Sequence, residues 1–215
     1  MGKSDKLEII LVRHAESKAN ANGVVDTNIP GTPLTPSGIH QAQKLANNLR
    51  LLKDKVATVY VSPFLRAQQT AKIIAQTLAL DDSKIITNIR IREFYHGELN
   101  GLPTSETVKE MEQFLKQAAE GNYHFRVGTF GENQFELLDR LYDFLIFAYK
   151  KHKGQKIMVV AHGVVTTVIQ KILLEALDKK EKHKSLGNAE FCPVKVDKKT
   201  FEKIVHQKQS LHESR

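Results

Sequence analysis

Three short apolar runs, separated by segments of helical period, are the feature that most constrains the fold of this chain. The runs are LEIILV at 7–12, VATVYV at 56–61 and KIMVVA at 156–161. Near-continuous apolar runs with many β-branched residues are typical of strands covered on both faces in a parallel sheet. Strands that alternate with helices therefore predict an α/β fold, with a mostly parallel central sheet and helices on both of its faces.

Two of the predicted helices begin with a hydroxyl residue followed by proline. Thr35-Pro36 and Ser62-Pro63 each place an N-cap hydroxyl before a proline at the first helical position, which favours a helix start. An apolar stripe of helical spacing follows each pair and predicts helices that end near residues 49 and 80. Similar patterns predict further elements: helices at 104–119, 133–151 and 164–177, and short strands at 85–89 and 190–196.

The composition suits one globular domain. No segment rich in proline, glycine or serine divides the 215 residues, so we predict a single domain over 1–215, in which 203–215 form a flexible C-terminal tail. No apolar run approaches the roughly 20 residues that span a bilayer, and the N-terminus lacks the apolar segment of a secretory signal. The single cysteine, Cys192, excludes an internal disulfide and suits a reducing compartment. We therefore expect a cytoplasmic protein without a membrane partner.

A formal net charge of +8 is compatible with three kinds of partner: nucleic acid, an acidic surface or a small anion. Lysine-rich segments at 179–184 and 198–203 supply much of the excess charge, and neither carries the series of aromatic residues on which bases stack. We therefore predict a solvated basic surface and no nucleic-acid partner.

Arginine and histidine residues stand near the point where each of the three apolar runs ends. Arg13-His14 follow the first run, Arg66 lies shortly after the second, and His162 follows the third. Open parallel sheets bind ligands beyond the carboxyl ends of their strands, where loops and helix N-termini meet. Guanidinium groups match the oxygens of phosphate or carboxylate with paired hydrogen bonds. The pattern therefore predicts an anion site at one edge of the sheet, and phosphate is the anion that we expect.

A histidine among arginines is suited to nucleophilic catalysis. Like charge disfavours protonated imidazole, so we expect a lowered pKa and a neutral, nucleophilic nitrogen near neutral pH. Transfer of a phosphoryl group to imidazole leaves an alkoxide, which needs a proton. The segment after the strand at 85–89 offers Glu93 for that role, with Glu98 as the alternative.

Six blocks of the sequence, taken in order, resemble the signature blocks of the histidine phosphatase superfamily, which is also called phosphoglycerate mutase-like. The blocks are LVRHAES followed by Asn20, TPLTPSG, SPFLRAQQTA, REFYHGELNGL, GEN followed by Arg140, and VVAHG. Each block alone is a weak signal, whereas the ordered set is highly specific.

The resemblance implies a fold and a role for each candidate residue. The implied fold is a three-layer α/β/α sandwich with a mostly parallel central sheet. His14 would be the phosphorylated nucleophile, and Glu93 would be the proton donor. The phosphate pocket would be formed by Arg13, Arg66 and His162, with Asn20 assisting. The resemblance implies no metal ion and no cofactor, and no HExxH or CxxC spacing in the chain indicates a metal site.

Three functions stay open at this point. A phosphatase transfers the phosphoryl group to water, whereas a mutase must exclude water and return the group to a bound product. Cofactor-dependent mutases of the family usually carry Gly-Trp-x-Asp soon after the nucleophile. This chain has no tryptophan and has TPLTPSG in that place, so we predict a phosphatase. A cofactor-dependent phosphoglycerate mutase is the first alternative, and a non-enzymatic phospholigand-binding or scaffold protein is the second.

The substrate is predicted only by class. HFR at 124–126 resembles a segment of a broad-specificity branch of the family, which favours a small phosphorylated metabolite such as a sugar phosphate or phosphoglycerate. A phosphoprotein substrate stays open as an alternative. The sequence gives no prediction of the oligomeric state, because scattered apolar residues do not reveal a self-complementary surface.

Overall fold

A five-stranded sheet forms the centre of the computed structural model, which describes residues 5–53, 55–179 and 185–213. The strand order is β3-β2-β4-β1-β5. β1 pairs with β4, and β2 pairs with β3 and β4, all in parallel, whereas β5 lies antiparallel to β1 at one edge. The strand bounds are β1 Leu7–Arg13, β2 Thr58–Val61, β3 Ile85–Thr87, β4 Lys156–Ala161 and β5 Phe191–Val196.

Helices pack on both faces of this sheet. In the described part of the chain they are α1 Lys18–Asn22, α2 Pro36–Asn48, α3 Leu65–Thr77, α4 Val108–Ala119, α5 Gln134–His152, α6 Gly163–Ala176 and α7 Lys198–Glu213. Successive residues of β1 enter different cores: Val12 packs in the core under α2 and α3, and Leu11 in the core under α5, α6 and α7. The predicted three-layer α/β fold with a mostly parallel sheet is confirmed.

The predicted N-cap residues of α2 and α3 have different outcomes in the structure. The Thr35 hydroxyl accepts a hydrogen bond from the Gly38 N–H at 2.9 Å, so the predicted N-cap of α2 is confirmed. The corresponding prediction for α3 is wrong, because this helix begins at Leu65 with Phe64 as an N-cap that forms no side-chain hydrogen bond. Ser62 lies further upstream, is fully buried, and has a different partner in the candidate site.

The C-terminal segment differs from its sequence-based prediction. Residues 203–213 do not form a flexible tail but continue α7, in which Ile204 and Leu211 are buried. The Lys208 ammonium forms ion pairs with Asp139 and Asp143 of α5. Apolar and ionic contacts with α5 therefore hold this segment in place. Residues 214–215 lie outside the described part of the chain.

Of the lysine-rich segment at 179–184, residues 180–184 lie outside the described part of the chain, whereas 198–203 form the first turns of α7. Among the described residues, no helix combines the length and the apolar character that crossing a membrane requires.

The register of the sheet brings two histidines together at the carboxyl ends of the strands. Arg13 is the register partner of Ala161, so the residues after them, His14 and His162, leave neighbouring strands side by side. The backbone N–H of His14 continues the ladder by donating to the carbonyl of Ala161 at 2.9 Å. The positions of these side chains are therefore set by the backbone hydrogen bonds of the sheet.

Candidate active site

His14 presents an unprotonated nitrogen to a buried arginine. Its side chain is only 3% exposed, and its Nδ1 lies 2.7 Å from the Ala15 carbonyl oxygen. A carbonyl oxygen only accepts hydrogen bonds, so Nδ1 carries the proton. The Nε of Arg66 donates to Nε2 of His14 at 3.1 Å. The lone pair of the imidazole is therefore on Nε2, which is the nitrogen available as a nucleophile.

The surroundings of His14 keep its imidazole neutral. Burial, together with the nearby charges of Arg66 and Arg13, lowers the pKa of His14 to about 3, against the opposing effect of the Ala15 carbonyl. Imidazole is therefore unprotonated through the neutral range. This confirms the direction that the sequence predicted and adds burial as the larger cause.

Arg66 is fixed by an aspartate that the sequence did not point to. The Arg66 guanidinium donates from Nη1 to Asp26 Oδ2 at 2.9 Å and from Nη2 to the Asp26 carbonyl at 2.8 Å. The Phe64 ring lies below it, 4.4 Å from Cζ. Asp26 is itself held by Thr32, whose N–H and hydroxyl both donate to Oδ2. Three groups therefore orient the Nε of Arg66 toward His14.

His162 stands at the N-terminus of α6 with one nitrogen bonded and the other without a partner. Its Nε2 forms a 2.7 Å hydrogen bond with the Ser62 hydroxyl. Its Nδ1 is buried and has no hydrogen-bond partner among the described residues. The ring meets that of His14 edge to face, with centroids 5.1 Å apart. Burial, then His14 and the nearby arginines, hold the pKa of His162 well below its usual value. A neutral imidazole with a free Nδ1 suits contact with a substrate oxygen.

Glu93 approaches His162 from the segment after β3. Its Oε2 lies 4.0 Å from Nδ1 of His162, which is too far for a hydrogen bond. Its Oε1 accepts a hydrogen bond from the Phe94 N–H at 2.9 Å. Burial raises the pKa of Glu93, and this effect outweighs the opposing Phe94 N–H and the nearby arginines. A carboxyl group with a raised pKa close to His162 suits proton donation.

Glu98, the alternative proton donor, has a different environment. Its exposed carboxylate accepts hydrogen bonds from the backbone N–H groups of Thr129 at 2.5 Å and Phe130 at 3.1 Å. These bonds lower the pKa of Glu98 to about 2. Glu98 is therefore ionised and holds a loop, and of the two carboxyl groups Glu93 has the environment of an acid.

A buried carboxylate fixes the segment that carries Glu93. Glu132, only 3% exposed, pairs with Arg92 at 3.0 Å and with Arg140 at 2.6 Å. Both arginines also reach the carbonyl oxygen of Glu93, at 3.2 and 3.5 Å. The two ion pairs thus connect α5 to the backbone on which Glu93 is mounted. Arg140 and the GEN block, which the sequence set apart, act here as structural supports.

Arg13 lies beside the N-terminus of α6. Its Nη1 donates to the Leu186 carbonyl at 2.7 Å, and its Nε is buried without a hydrogen-bond partner among the described residues. A Cβ atom at Gly163 would lie 3.3 Å from Cζ of Arg13, so glycine lets the guanidinium pack against the helix start. Arg13 therefore lies beside the helix start that follows His162, and its buried Nε–H is unused in the described structure.

Asn20 is connected to the site through another asparagine. Its Oδ1 accepts from the Ser17 N–H in a capping box at the start of α1, and from Nδ2 of Asn188 at 3.2 Å. The same Nδ2 donates to the His14 carbonyl at 3.1 Å. Asn20 is thus bonded to a residue that holds the backbone of His14. In the described structure, Asn20 thus reaches the His14 backbone only through Asn188.

Sequence reasoning missed three residues of this site. Ser62 was assigned to a helix cap, Asp26 lies in an irregular loop, and Asn188 precedes β5. Ser62 lies within SPFLRAQQTA, so the block itself was a signal for it. Asp26 and Asn188 gave no comparable signal, because their partners are distant in the chain.

Among the described residues, no group of three or more His, Cys, Asp or Glu side chains is arranged to hold a metal ion. Independence from metal ions stays a prediction.

Comparison with known proteins gives matches over most of the chain. Residues 9–208 match the sequence model of the histidine phosphatase superfamily (branch 1). Phosphoglycerate mutase-like protein 4 of Arabidopsis thaliana is 32% identical over 161 residues, which cover 75% of this chain and 68% of that protein.

Solved structures with the same architecture include a phosphatase and a mutase. The alpha-ribazole phosphatase of Shigella flexneri has a TM-score of 0.66 and 24% identity, over 89% of this chain and 92% of that one. The phosphoglycerate mutase of Bacillus anthracis has a TM-score of 0.72 and 16% identity, over 94% of this chain and 97% of that one. At these identities the likeness shows the fold alone.

Proposed function

Since the chain belongs to the histidine phosphatase superfamily (branch 1), we propose that it is a phosphatase that hydrolyses a phosphomonoester of a small metabolite through a phosphohistidine at His14. The observation that carries this proposal is the neutral imidazole of His14, whose Nε2 lone pair faces the Nε of Arg66 at 3.1 Å. A nucleophile and a cation for phosphate oxygens are thus in contact before any substrate arrives.

In the first step, Nε2 of His14 attacks phosphorus and the bond from phosphorus to the ester oxygen breaks. The protonated carboxyl of Glu93 gives its proton to that oxygen, so a neutral alcohol leaves. Phosphate oxygens would be held by Arg66, by the unused Nε of Arg13 and by Nδ1 of His162. Asn20 assists only by way of Asn188.

In the second step, water attacks the phosphohistidine. The Glu93 carboxylate takes a proton from this water, the bond from phosphorus to nitrogen breaks, and phosphate leaves with His14 neutral again. Each group returns to its starting protonation state, so the cycle consumes only ester and water. No metal ion or cofactor has a part in it.

A phosphoglycerate mutase is the second candidate function. The observations that favour it are the name of the Arabidopsis relative and the fold shared with the Bacillus anthracis mutase. Against it stand the absence of tryptophan from the chain and the TPLTPSG block in the place of the mutase element. A cytoplasmic location and the lack of nucleic-acid and membrane partners stay predictions from composition.

Release of phosphate from p-nitrophenyl phosphate in EDTA tests the proposal. We expect His14→Ala to lower kcat by a factor on the order of 10³ to 10⁶, as loss of a nucleophile does in other enzymes. His40→Ala, which removes an exposed histidine of α2, is the matched control and should leave the rate unchanged. Equal rates for the wild type and His14→Ala would refute the nucleophile, and a requirement for added metal would refute the metal-free cycle.

A second assay separates phosphatase from mutase and from a scaffold. The protein is incubated with 3-phosphoglycerate, with and without 2,3-bisphosphoglycerate. Efficient isomerisation that needs the bisphosphate would establish the mutase. Tight binding of phosphorylated ligands, without phosphate release from any ester, would establish the scaffold instead.

A further inference from the structure

A cavity of ≈ 580 Å³ opens between α4, α5 and α6. Two of its lining residues are chain neighbours of the proposed catalytic residues and phosphate ligands: Phe94 follows Glu93, and Gly163 follows His162. In the proposed reaction Glu93 protonates the oxygen of the leaving group, so the rest of that group must extend from beside Glu93. The cavity is therefore in the place where the body of the leaving group would lie.

The walls of this cavity are largely apolar. Side chains from all three helices contribute, among them Met111, Phe114, Leu138, Val164 and Val168. The lining also includes the hydroxyl and amide groups of Tyr123, Gln134, Tyr142, Thr167 and Ser185, so a few polar groups of a substrate could be paired while most of its body would contact apolar side chains. Ligand pockets of this volume hold molecules of drug size, larger than a three-carbon acid.

The charges at the cavity do not favour a second anionic group. Among its described lining residues Lys171 is the only cation and Glu175 the only anion, and the two lie four positions apart on α6. Their opposite charges offset each other at this distance. A carboxylate or a second phosphate on the substrate would thus meet no net positive charge from the described lining residues, unlike the phosphate at the arginines.

Helix α4 leaves apolar surface uncovered along this cavity. Phe114 is its one buried residue, and Leu115, which lines the cavity, is 60% exposed. A contiguous apolar wall that remains open to solvent marks a binding surface rather than a folded core. An apolar ligand in the cavity would cover it.

We infer that this cavity binds the leaving group, and that the substrates are phosphomonoesters of largely apolar alcohols or phenols rather than of phosphoglycerate or other metabolites with a second anionic group. The inference rests on the proposed function, and it narrows the substrate class that the sequence predicted. The cavity walls would set the substrate selectivity, because an apolar leaving group packs favourably against them and a charged one does not. The arginines would bind the phosphate group that all of these esters share.

A pair of substrates of the same shape tests the selection. We compare kcat/KM for 2-naphthyl phosphate with that for the same ester carrying a 6-carboxylate, which has a leaving group at least as good. We expect the uncharged ester to be favoured at least about tenfold, as expected for a charge placed in an apolar pocket. Equal values, or a preference for the carboxylated ester, would overturn the inference.

A pair of variants locates the selection in the cavity. Leu115→Asp places a charge on the wall at an exposed position, so folding should be kept. Leu51→Asp is the control, because Leu51 is 84% exposed and is not part of the cavity lining. We expect Leu115→Asp to raise KM for 2-naphthyl phosphate about tenfold and Leu51→Asp to leave this KM unchanged.

These outcomes separate the inference from the proposed function. Turnover that is abolished by His14→Ala but is insensitive to the carboxylate and to Leu115→Asp would keep the phosphatase and refute the apolar subsite. Absence of phosphate release from every ester would refute the phosphatase itself, and the assignment of the leaving group with it.

Discussion

Arg66 donates from Nε to Nε2 of His14 at 3.1 Å, while Asp26 binds the η nitrogens of the same guanidinium. The donated hydrogen bond requires a lone pair on Nε2, so the arginine fixes the tautomer as well as the orientation of the imidazole. In the proposed reaction, a phosphate oxygen would take over the Nε of Arg66 and release the Nε2 lone pair next to phosphorus. Substrate binding and activation of the nucleophile would thereby be coupled.

The pH dependence of catalysis should depend on Glu93. Its raised pKa keeps the acid form present above the usual 4.5, whereas His14 stays unprotonated above about 3. We expect kcat/KM to rise with pH through about 3 and to fall once pH exceeds the raised pKa of Glu93. Glu93→Gln should lower kcat roughly 10² to 10⁴-fold for a poor leaving group and remove the falling limb. If the fall in kcat/KM at higher pH persists in this variant, it arises from ionisation of the substrate and not of Glu93.

Ser62→Ala should impair catalysis without a large loss of stability. The variant removes the 2.7 Å hydrogen bond that orients His162, so Nδ1 is no longer held toward the substrate. We expect kcat/KM to fall about 10- to 100-fold, as for a misplaced catalytic group. Ser37→Ala, at an exposed position of α2, is the control. A rate equal to that of the wild type would show that α6 alone positions His162.

Asp26→Asn should weaken phosphate binding through Arg66. The variant leaves the buried guanidinium without its charged partner, and breaking a buried pair costs roughly 3 to 5 kcal/mol of stability. We expect the inhibition constant of inorganic phosphate to rise together with KM, and the urea midpoint of unfolding to fall. Unchanged phosphate inhibition would mean that Phe64 and the helix suffice to orient Arg66.

Glu132→Ala should destabilise the protein strongly. Burial raises the pKa of Glu132, but hydrogen bonds from Arg140 and Arg92 outweigh burial and lower it. Removing this carboxylate leaves Arg92 and Arg140 without their charged partner. We therefore expect the free energy of unfolding, measured in urea, to fall by roughly 3 to 5 kcal/mol. Glu112→Ala, on the exposed side of α4, should stay within about 0.5 kcal/mol.

The same ion pairs give a pH dependence of stability. The pKa of Glu132 is lower in the folded than in the unfolded state, so its contribution is present above the usual value of 4.5 and is lost as pH falls through the lowered pKa. The difference in stability between the wild type and Glu132→Ala should therefore shrink on acidification below 4.5. A constant difference would show that the arginines are supported by other groups.

Local patterns in the sequence determined the elements and the carboxyl edge of the sheet. Apolar runs predicted β1, β2 and β4, and Thr35 was recognised as the cap of α2, because each signal lies within a few residues of the structure it specifies. The rule that parallel strands end at one edge then placed Arg13-His14 and His162 together. The flexible tail predicted for 203–215 was wrong over 203–213, because only a few apolar positions within this basic segment anchor α7.

The partners of the site residues were decided by the tertiary structure alone. Ser62 and His162 are 100 positions apart in the chain, Asp26 and Arg66 are 40 apart, and Asn188 and His14 are 174 apart. Whether such groups meet depends on distances of a few ångströms between packed helices and loops, and no local pattern encodes these. The raised pKa of Glu93 and the apolar cavity beside it arise in the same way, because burial is a property of the assembled fold.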